Sequence, residues 1–596
     1  MTVQVIDPRH VATLPDSRNS APAILFVAGV VLAALMEAVA GTVLSTARLD
    51  IIGDTYATSD ELARLDVGYT AAKLVAYILA PWFMARLSPL SCLRAATGTM
   101  TVVCGAAAIT SDLDALTVLR LLQGAAGGGL LVSGQTMLFL MFPRSHQPIV
   151  QCIFAIGAVV APATLTPYMQ GWLVDSLSWS WIFLCIVPIG MGALILLAFT
   201  KEGLDERIGE GKFDRLGAVL FAGAAFCLTY VLNQGSRWDW FEEPMIAHLL
   251  IVGGFALLLF LVYQFNTKKP DTVLDLTIFR NSGFAFGFIA SFAAGFALFG
   301  SAYLIPTFAV SIIGMTPTEA GMLLLPSTLM FISTLLLTTF LVQRRGLPPI
   351  VTVPFGILCF IAAMWMLSGV TGESGFPDLM PAILLRGLAL GFLFLSITLI
   401  TLPDLEEQQM AYGVGLFNVG RQTGGLLGVA ALQTLLDHQT ALNKSVLVTY
   451  IVPGRVAVSD RIALLMNSLA SRGLDASAAA DAAVQTLGKE VTRQASIVAF
   501  DTAFLAVALF FVGAAPVLIT SKIIIGKFLN PGSLKVSDHV EEGSGLNLEK
   551  LQTRPASGGR SVSEQGLSEI STDLSVRDLT TASRTGARQR RIMKGV

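Results

Sequence analysis

The sequence predicts an all-α membrane protein of about fourteen spanning helices, built as two six-helix bundles with two helices inserted between them. Three observations predict it. Of the 596 residues, 54% are hydrophobic and only 13% are charged, against roughly 25% charged in an average soluble domain. The apolar residues gather into runs of spanning length. The lysines and arginines between those runs alternate from dense to sparse along the chain, as they do in polytopic proteins.

A spanning helix needs ~20 mostly apolar residues at 1.5 Å rise each. The runs that qualify are 21–45, 66–85, 95–111, 116–142, 149–173, 179–199, 213–233, 244–264, 283–312, 318–342, 349–369, 378–401, 411–435 and 497–525. The run 95–111 is the shortest, and 283–312 is expected to break near Pro306. The first run is longer than the ~7–15 apolar residues of a cleavable signal. It therefore reads as a retained span behind a polar, cytoplasmic N-terminal tail, 1–20.

One set of alternate loops carries Arg86, Arg94, Arg144, Lys201, Arg207, Lys212, Lys268, Lys269, Arg280, Arg344 and Arg345, and the opposite set only Arg48, Arg64 and Arg237. Because cytoplasmic loops hold the excess of basic residues, both termini are expected on the cytoplasmic side of the membrane. That placement requires an even number of spans. The expected units are a first bundle at 21–200, inserted linker helices with their loops at 201–282, and a second bundle at 283–529. Within the second bundle, 436–496 is expected as a large outer loop folded into a helical hairpin cap, with Asp460 and Asp475 near helix starts and Gly473 as the break. Residues 530–596, rich in Ser, Thr and Gly without apolar periodicity, read as a disordered cytoplasmic tail. Its closing basic cluster, Arg584, Arg588, Arg590, Arg591 and Lys594, is either solvated or drawn to anionic lipid.

Other function classes find little support. The net charge of -2 gives no nucleic-acid signal. The six cysteines lack the spacing of a disulfide framework or a metal site. There is no G-x-x-x-x-G-K-[S/T] loop for ATP. No cofactor is expected, and the chain is not expected to be an enzyme.

Charges at bilayer depth cost ~2.5–3.5 kcal/mol each on insertion scales, so they mark a cavity or a partner. Glu37 lies ~12 Å below the outer end of the first span, Lys73 ~10 Å below the start of the second and Arg120 ~7 Å below the start of the fourth, at 1.5 Å per residue. The three share one layer in the outer half of the first bundle. Gln123 follows Arg120 on the same helix face. Glu37 is a candidate proton carrier, with its affinity set by desolvation against Arg120 or Lys73. The alternatives are a static ion pair between helices and, for Lys73, a side chain that snorkels outward. Asp501, about four residues into the last span, is a weaker candidate for the same work. In the thirteenth span, "FNVGRQTGG" sets Asn418, Arg421 and Gln422 close together, where they bond either substrate or a neighbouring helix. A weak repeat pairs "LRLLQGAAGGGLL" from Leu119 with "LRGLALGFLFL" from Leu385, and places Arg386 at a depth similar to Arg120. Parallel repeats of this kind build transporters.

With these residues in view, the chain resembles the fourteen-helix drug:proton antiporter branch of the major facilitator superfamily, the Emr/Qac type of efflux pump, over nearly all of 25–525. The strongest match is "LRLLQGAAGG", with Arg120, Gln123 and Gly124 in place. "APATLTPYMQGWLVDSLSWSWIFLCIVPIG" resembles the antiporter motif. It keeps Pro167 and Gly171, while Thr166 and Gln170 stand where the family has glycines. "MEAVAGTV" puts Glu37 where an Asp is usual, and "LFNVGRQTGGLLGVA" is also similar. The loop "PWFMARLSPLS" departs most, with Arg86 in place of an Asp and Pro89 near the motif's glycine. In the family that loop latches the two halves together. The resemblance implies a major facilitator fold and proton-coupled efflux of drugs or other small amphipathic molecules. Its partners would be substrate, protons and the lipid bilayer, with a periplasmic adaptor protein as a further candidate and no nucleic acid. Export of a specific metabolite or siderophore is the second reading, and a transporter-like sensor or scaffold the third.

Overall fold

The computed structural model describes residues 21–200, 213–267, 273–452 and 454–529; the expectations for the two terminal tails fall outside them. In chain order the helices are α1 (Ala21–Thr46), α2 (Arg48–Thr55), α3 (Ser59–Leu87), α4 (Pro89–Ala108), α5 (Leu113–Met141), α6 (Gln147–Ala155), α7 (Thr166–Ser176), α8 (Ser180–Ala198), α9 (Arg215–Gln234), α10 (Pro244–Asn266), α11 (Ser282–Phe308), α12 (Pro317–Arg345), α13 (Thr352–Leu367), α14 (Phe376–Thr401), α15 (Glu407–Thr449), α16 (Val456–Ala470) and α17 (Ala476–Leu529). The described residues contain no strand.

Local chemistry sets the helix starts. Thr58 and Glu61 open α3 with a reciprocal capping box, and Thr316 and Glu319 open α12 the same way. Each box satisfies two backbone N–H groups that the first turn leaves without partners. Asp112 caps α5 by accepting from the Ala115 N–H at 3.1 Å.

Thirteen described helical stretches are long and apolar enough to cross a membrane. The fourteenth spanning helix is α15. Its polar residues and glycines dilute its hydropathy, but it packs against α11, α17, α3 and α5 in the middle of the molecule. Polar side chains there meet protein and not lipid, which is where such residues are tolerated.

The fifth span is one continuous rod with an altered middle: α6 runs into a π-helical stretch, Ile156–Leu165, and then into α7. Pro162 and Pro167 stand in this rod. Neither has an N–H to give its preceding turn, and the backbone widens around them. The break expected near Pro306 is not there. α11 continues through it to Phe308, and the widened stretch is Ala309–Ile313, just after. Just beyond the proline the Ala309 N–H is shared between Ile305 O and Pro306 O, where the helix passes into the widened stretch.

The outer loop expected at 436–496 also needs correction. α15 continues unbroken to Thr449, and α17 begins at Ala476 and runs straight into the last span. α16, the turn at Gly473, φ 97°, and the start of α17 behind Asp475, which accepts from the Ala478 N–H at 3.3 Å, match the expected hairpin. Apolar runs show where lipid ends, not where the helix ends, and no proline interrupts α15 before Pro453. The two helices thus form an extension at one end of the molecule, with α16 packed on α17.

The inserted pair, α9 and α10, pack on each other where Gly253 lets them approach at Cys227. α9 is tied to the first bundle by Asn233 Nδ2 donating to Asp66 at 2.8 Å, and the turn after it by Arg237–Asp60 at 2.9 Å. Just beyond α9, the Ser236 hydroxyl donates to Asp437 on α15 at 2.7 Å.

Candidate functional site

The glycines of α5 create the site. A Cβ at Gly124 would overlap the Tyr69 carbonyl of α3, and one at Gly128 would stand 2.7 Å from the Lys73 carbonyl. Glycines four apart form a groove, and α3 lies in it backbone to backbone. A third glycine, Gly127, faces α1, where a Cβ would sit 3.0 Å from Glu37 Cγ. Three helices therefore meet closely enough to enclose their polar residues. Glu37 is 3% exposed, Lys73 8%, Arg120 and Gln123 0%.

Within this enclosure the Lys73 ammonium pairs with Glu37 Oε1. The Tyr69 hydroxyl donates to the same oxygen at 2.8 Å. Arg120 is held apart. Its guanidinium carbon stands 4.1 Å from the centroid of the Tyr69 ring, a cation–π contact. Its Nη1 donates to the Ala40 carbonyl at 2.8 Å and to Gln123 Oε1 at 3.0 Å. Its Nε and Nη2, and Nε2 of Gln123, find no partner. Of the two cations expected to compete for Glu37, Lys73 is the one in contact, and Tyr69 separates the other. Lys73 does not snorkel, because its helix is pressed into the α5 groove and its ammonium has an anion beside it.

A polar thread leads from the pair to the second bundle. Tyr77, one turn beyond Lys73, interacts with it electrostatically, and Arg421 on α15 interacts with Tyr77 and Glu37 across the seam. Arg421 Nη2 donates to Asn418 Oδ1 at 2.5 Å, Asn418 Nδ2 to Gln135 Oε1 of α5 at 3.2 Å, and Gln135 Nε2 to Gln151 Oε1 at 3.3 Å. A Cβ at Gly415 would overlap the Tyr77 carbonyl, so α15 touches α3 directly here. Gln422 is half-buried and makes no hydrogen bond among the described residues.

The antiporter-type stretch joins the helices at the extension end of this layer. Gln170, which stands where the family has glycine, donates to the Val39 carbonyl at 2.7 Å and to the Thr42 hydroxyl at 3.0 Å, and accepts from Thr46 at 3.2 Å. It locks α7 onto α1 two residues from Glu37. Gly171 and Pro167 face the other bundle. A Cβ at Gly171 would sit 2.9 Å from the Pro317 carbonyl, and one at Gly321 2.9 Å from the Pro167 carbonyl carbon. Each bundle thus offers a glycine to the other's backbone. Asp175 accepts from the Thr318 N–H at 3.2 Å beside them.

At the opposite end the seam is bridged by Gln343 Nε2 donating to the Ser145 carbonyl at 3.0 Å and by an exposed Arg144–Asp404 pair at 3.7 Å. Arg86 lies 5.8 Å over the Trp82 ring of its own helix and forms no ion pair among the described residues. The acid that this loop lacks is not replaced there.

Two candidates stand apart from the cluster. Asp501 on α17 is half-buried, its Oδ1 has no partner, and it forms no ion pair among the described residues. Arg386 on α14 is 0% exposed and, among the described residues, bonds only Ser301 Oγ, at 2.7 Å through Nε. The packing sets the register of Arg386 relative to Arg120. Gly387 and Gly391 lie on the carbonyls of Ser327 and Phe331 of α12, as Gly124 and Gly128 lie on those of Tyr69 and Lys73. Arg386 therefore occupies the register of Gln123, about one turn from that of Arg120. Ser327 and Phe331 stand where the first bundle has Tyr69 and Lys73.

Tyr69, Tyr77, Gln135 and Gln151 escape a sequence reading that looks for charge. The one available signal is spacing: Tyr69, Lys73 and Tyr77 recur every four residues, on one helix face.

A family model described as Major Facilitator Superfamily matches residues 26–429. The chain is 26% identical over 494 residues to the multidrug export protein EmrB of Haemophilus influenzae, covering 82% of this chain and 94% of that one. It is 24% identical over 494 residues to the fatty acid resistance protein FarB of Neisseria gonorrhoeae, with the same coverage of 82% and 94%. It is 26% identical over 407 residues to the tetracenomycin C resistance and export protein of Streptomyces glaucescens, covering 67% and 74%.

Proposed function

Because this chain belongs to the major facilitator superfamily, we propose that it is a secondary exporter that expels drugs or other small amphipathic molecules in exchange for protons, with Glu37 as the proton carrier. The observation that supports this most is the buried Glu37–Lys73 pair, enclosed by Tyr69 and facing Arg421 of the other bundle. The export and resistance proteins that the chain resembles support the cargo class.

The mechanism follows from charge counting. With Glu37 ionised, the group comprises one anion and three cations: the buried Lys73 and Arg120 and the half-buried Arg421. A proton on Glu37 removes the anion and leaves the three cations facing one another. Like charges in low dielectric repel strongly, and Lys73 and Arg421 sit on opposite bundles. Protonation therefore pushes α3 and α15 apart, while deprotonation draws them together. The glycine contacts of Gly171 and Gly321 allow the bundles to seat closely again without side chains in the way. A proton moving down a potential of about 100 mV supplies ~2.3 kcal/mol, enough at ~1.36 kcal/mol per tenfold for a cargo gradient of roughly fifty-fold.

In this reading the protein sits in a bacterial inner membrane with both termini in the cytoplasm, and the α15–α17 extension projects outside. A periplasmic adaptor protein would meet it there. The test is transport in proteoliposomes with an imposed pH gradient. Glu37→Gln, nearly the same in shape, is expected to fold and bind cargo but to lose pH-driven flux. Normal pH-driven flux in a well-folded Glu37→Gln protein removes Glu37 as carrier and moves the role to Asp501.

A further inference from the structure

The second bundle contains a buried cation with no counter-charge among the described residues. Arg386 is 0% exposed, and only its Nε is used, by Ser301 Oγ at 2.7 Å. Both terminal nitrogens, Nη1 and Nη2, are buried without a partner. No carboxylate and no aromatic face meets it among the described residues. The contrast with Arg120 is direct: that guanidinium has a carbonyl, a glutamine and an aromatic ring.

An arginine cannot escape this position by losing its proton. A buried charge is retained in proteins only where something pairs with it. The free end of this guanidinium is the pair of nitrogens that grips a carboxylate in two parallel hydrogen bonds. Ser327 Oγ, also fully buried and without a partner, meets α14 at Gly387, the next residue. On the same helix, one turn to either side, stand Ala382, Ile383, Ala389 and Leu390, all buried. The surroundings thus offer one cationic fork within an apolar wall.

Resting on the transporter reading above, we infer that Arg386 is the anchor for an anionic cargo: an amphiphile whose carboxylate takes Nη1 and Nη2 and whose apolar body lies along α14. This divides the labour between the bundles. The first carries its own anion, Glu37, and exchanges protons. The second leaves its arginine unpaired, and the cargo completes it.

The test uses purified full-length protein in detergent, with decanoate, decanamide and acetate as probes, read by the thermal unfolding midpoint and by titration. Decanoate should bind the wild type about tenfold more tightly than decanamide, since only the acid makes charge-assisted bonds, and acetate should have little effect. Arg386→Gln should bind the acid and the amide equally, while Arg386→Lys should keep part of the preference. Without ligand, Arg386→Gln should unfold no earlier than the wild type, because it removes an uncompensated charge. Three results would each overturn the inference: equal binding of acid and amide by the wild type, an undiminished acid preference in Arg386→Gln, or an acetate effect equal to that of decanoate. A large loss of stability in ligand-free Arg386→Gln would also overturn it, by making Arg386 a structural element. The binding measurement is independent of proton coupling. A protein that binds decanoate through Arg386 but moves no cargo under any gradient refutes the exporter reading alone.

Discussion

Removing Lys73 isolates the contribution of the buried pair. In Lys73→Met the carboxylate of Glu37 keeps its 2.8 Å bond from Tyr69 but loses the one cation in contact with it among the described residues. Breaking a fully buried pair costs ~3–5 kcal/mol. The carboxyl has an escape, which is to hold a proton. At pH 7 that costs about 3.7 kcal/mol, counted as 1.36 kcal/mol for each unit above an ordinary glutamate value of about 4.3. The destabilisation of Lys73→Met is therefore capped near that figure. It should shrink by about 1.4 kcal/mol per pH unit on acidification, because the folded variant then binds a proton that the unfolded chain does not. Glu37→Gln strands the ammonium instead. Its escape is to lose a proton, at a cost of about 4.6 kcal/mol at pH 7 from an ordinary lysine value of about 10.4, so its deficit should shrink as pH rises. The two single variants must have opposite pH slopes. The double variant Glu37→Gln/Lys73→Met carries neither stranded charge and should regain most of the stability with little pH dependence, yet show no proton-driven flux. Thermal unfolding in detergent from pH 5 to pH 9 measures all three. Slopes of the same sign, or a double variant as unstable as the worse single one, would refute the reasoning.

Two further outcomes follow from packing and topology. Gly124→Ala, whose Cβ would overlap the Tyr69 carbonyl, should lower the unfolding midpoint sharply or abolish folded protein, whereas Gly68→Ala on α3, with open space around its Cβ, should be near neutral in the same assay. Single cysteines at Ser459 on α16 and at the exposed Ser145 before α6 should label with an impermeant reagent from opposite sides of the membrane, Ser459 from outside; labelling from the same side would overturn the orientation.

The fold was legible because spanning length and apolar composition leave few options, and the charges at Glu37, Lys73 and Arg120 were legible because each is conspicuous in an apolar run. Which of them touch was not legible. Depth follows from counting residues, but the direction in which a side chain leaves its helix is settled by contacts such as Gly124 on Tyr69 and Gly127 on Glu37. Tyr69 went unmarked because a tyrosine in a span is ordinary until its hydroxyl is seen on a carboxylate. The repeat around Arg120 and Arg386 was visible as a motif, yet its register was displaced: sequence similarity aligns the arginines, while packing aligns the glycines. The extension was misjudged because hydropathy falls where lipid ends and reports nothing about hydrogen bonds that continue in water. Gln135 and Gln151 matter only through their neighbours on other helices, which no local pattern encodes.

The unbroken course of α15 makes it a pointer as well as a strut. Its 43 residues measure about 65 Å end to end at 1.5 Å per residue. Its N-terminal third runs along the seam, where Asn418 bonds Gln135, and its other end stands clear of the bundles beside α16 and α17. A stiff rod magnifies what happens at the seam: a tilt of about 10° there, of the kind that rigid-body switches use, carries the tip through roughly 8 Å over the ~46 Å from Asn418 to Thr449. Each turn of the transport cycle would thus be displayed outside the membrane as a swing of the extension, where a partner or a spectroscopic probe at the tip can read the state of the buried carboxylate without reaching it.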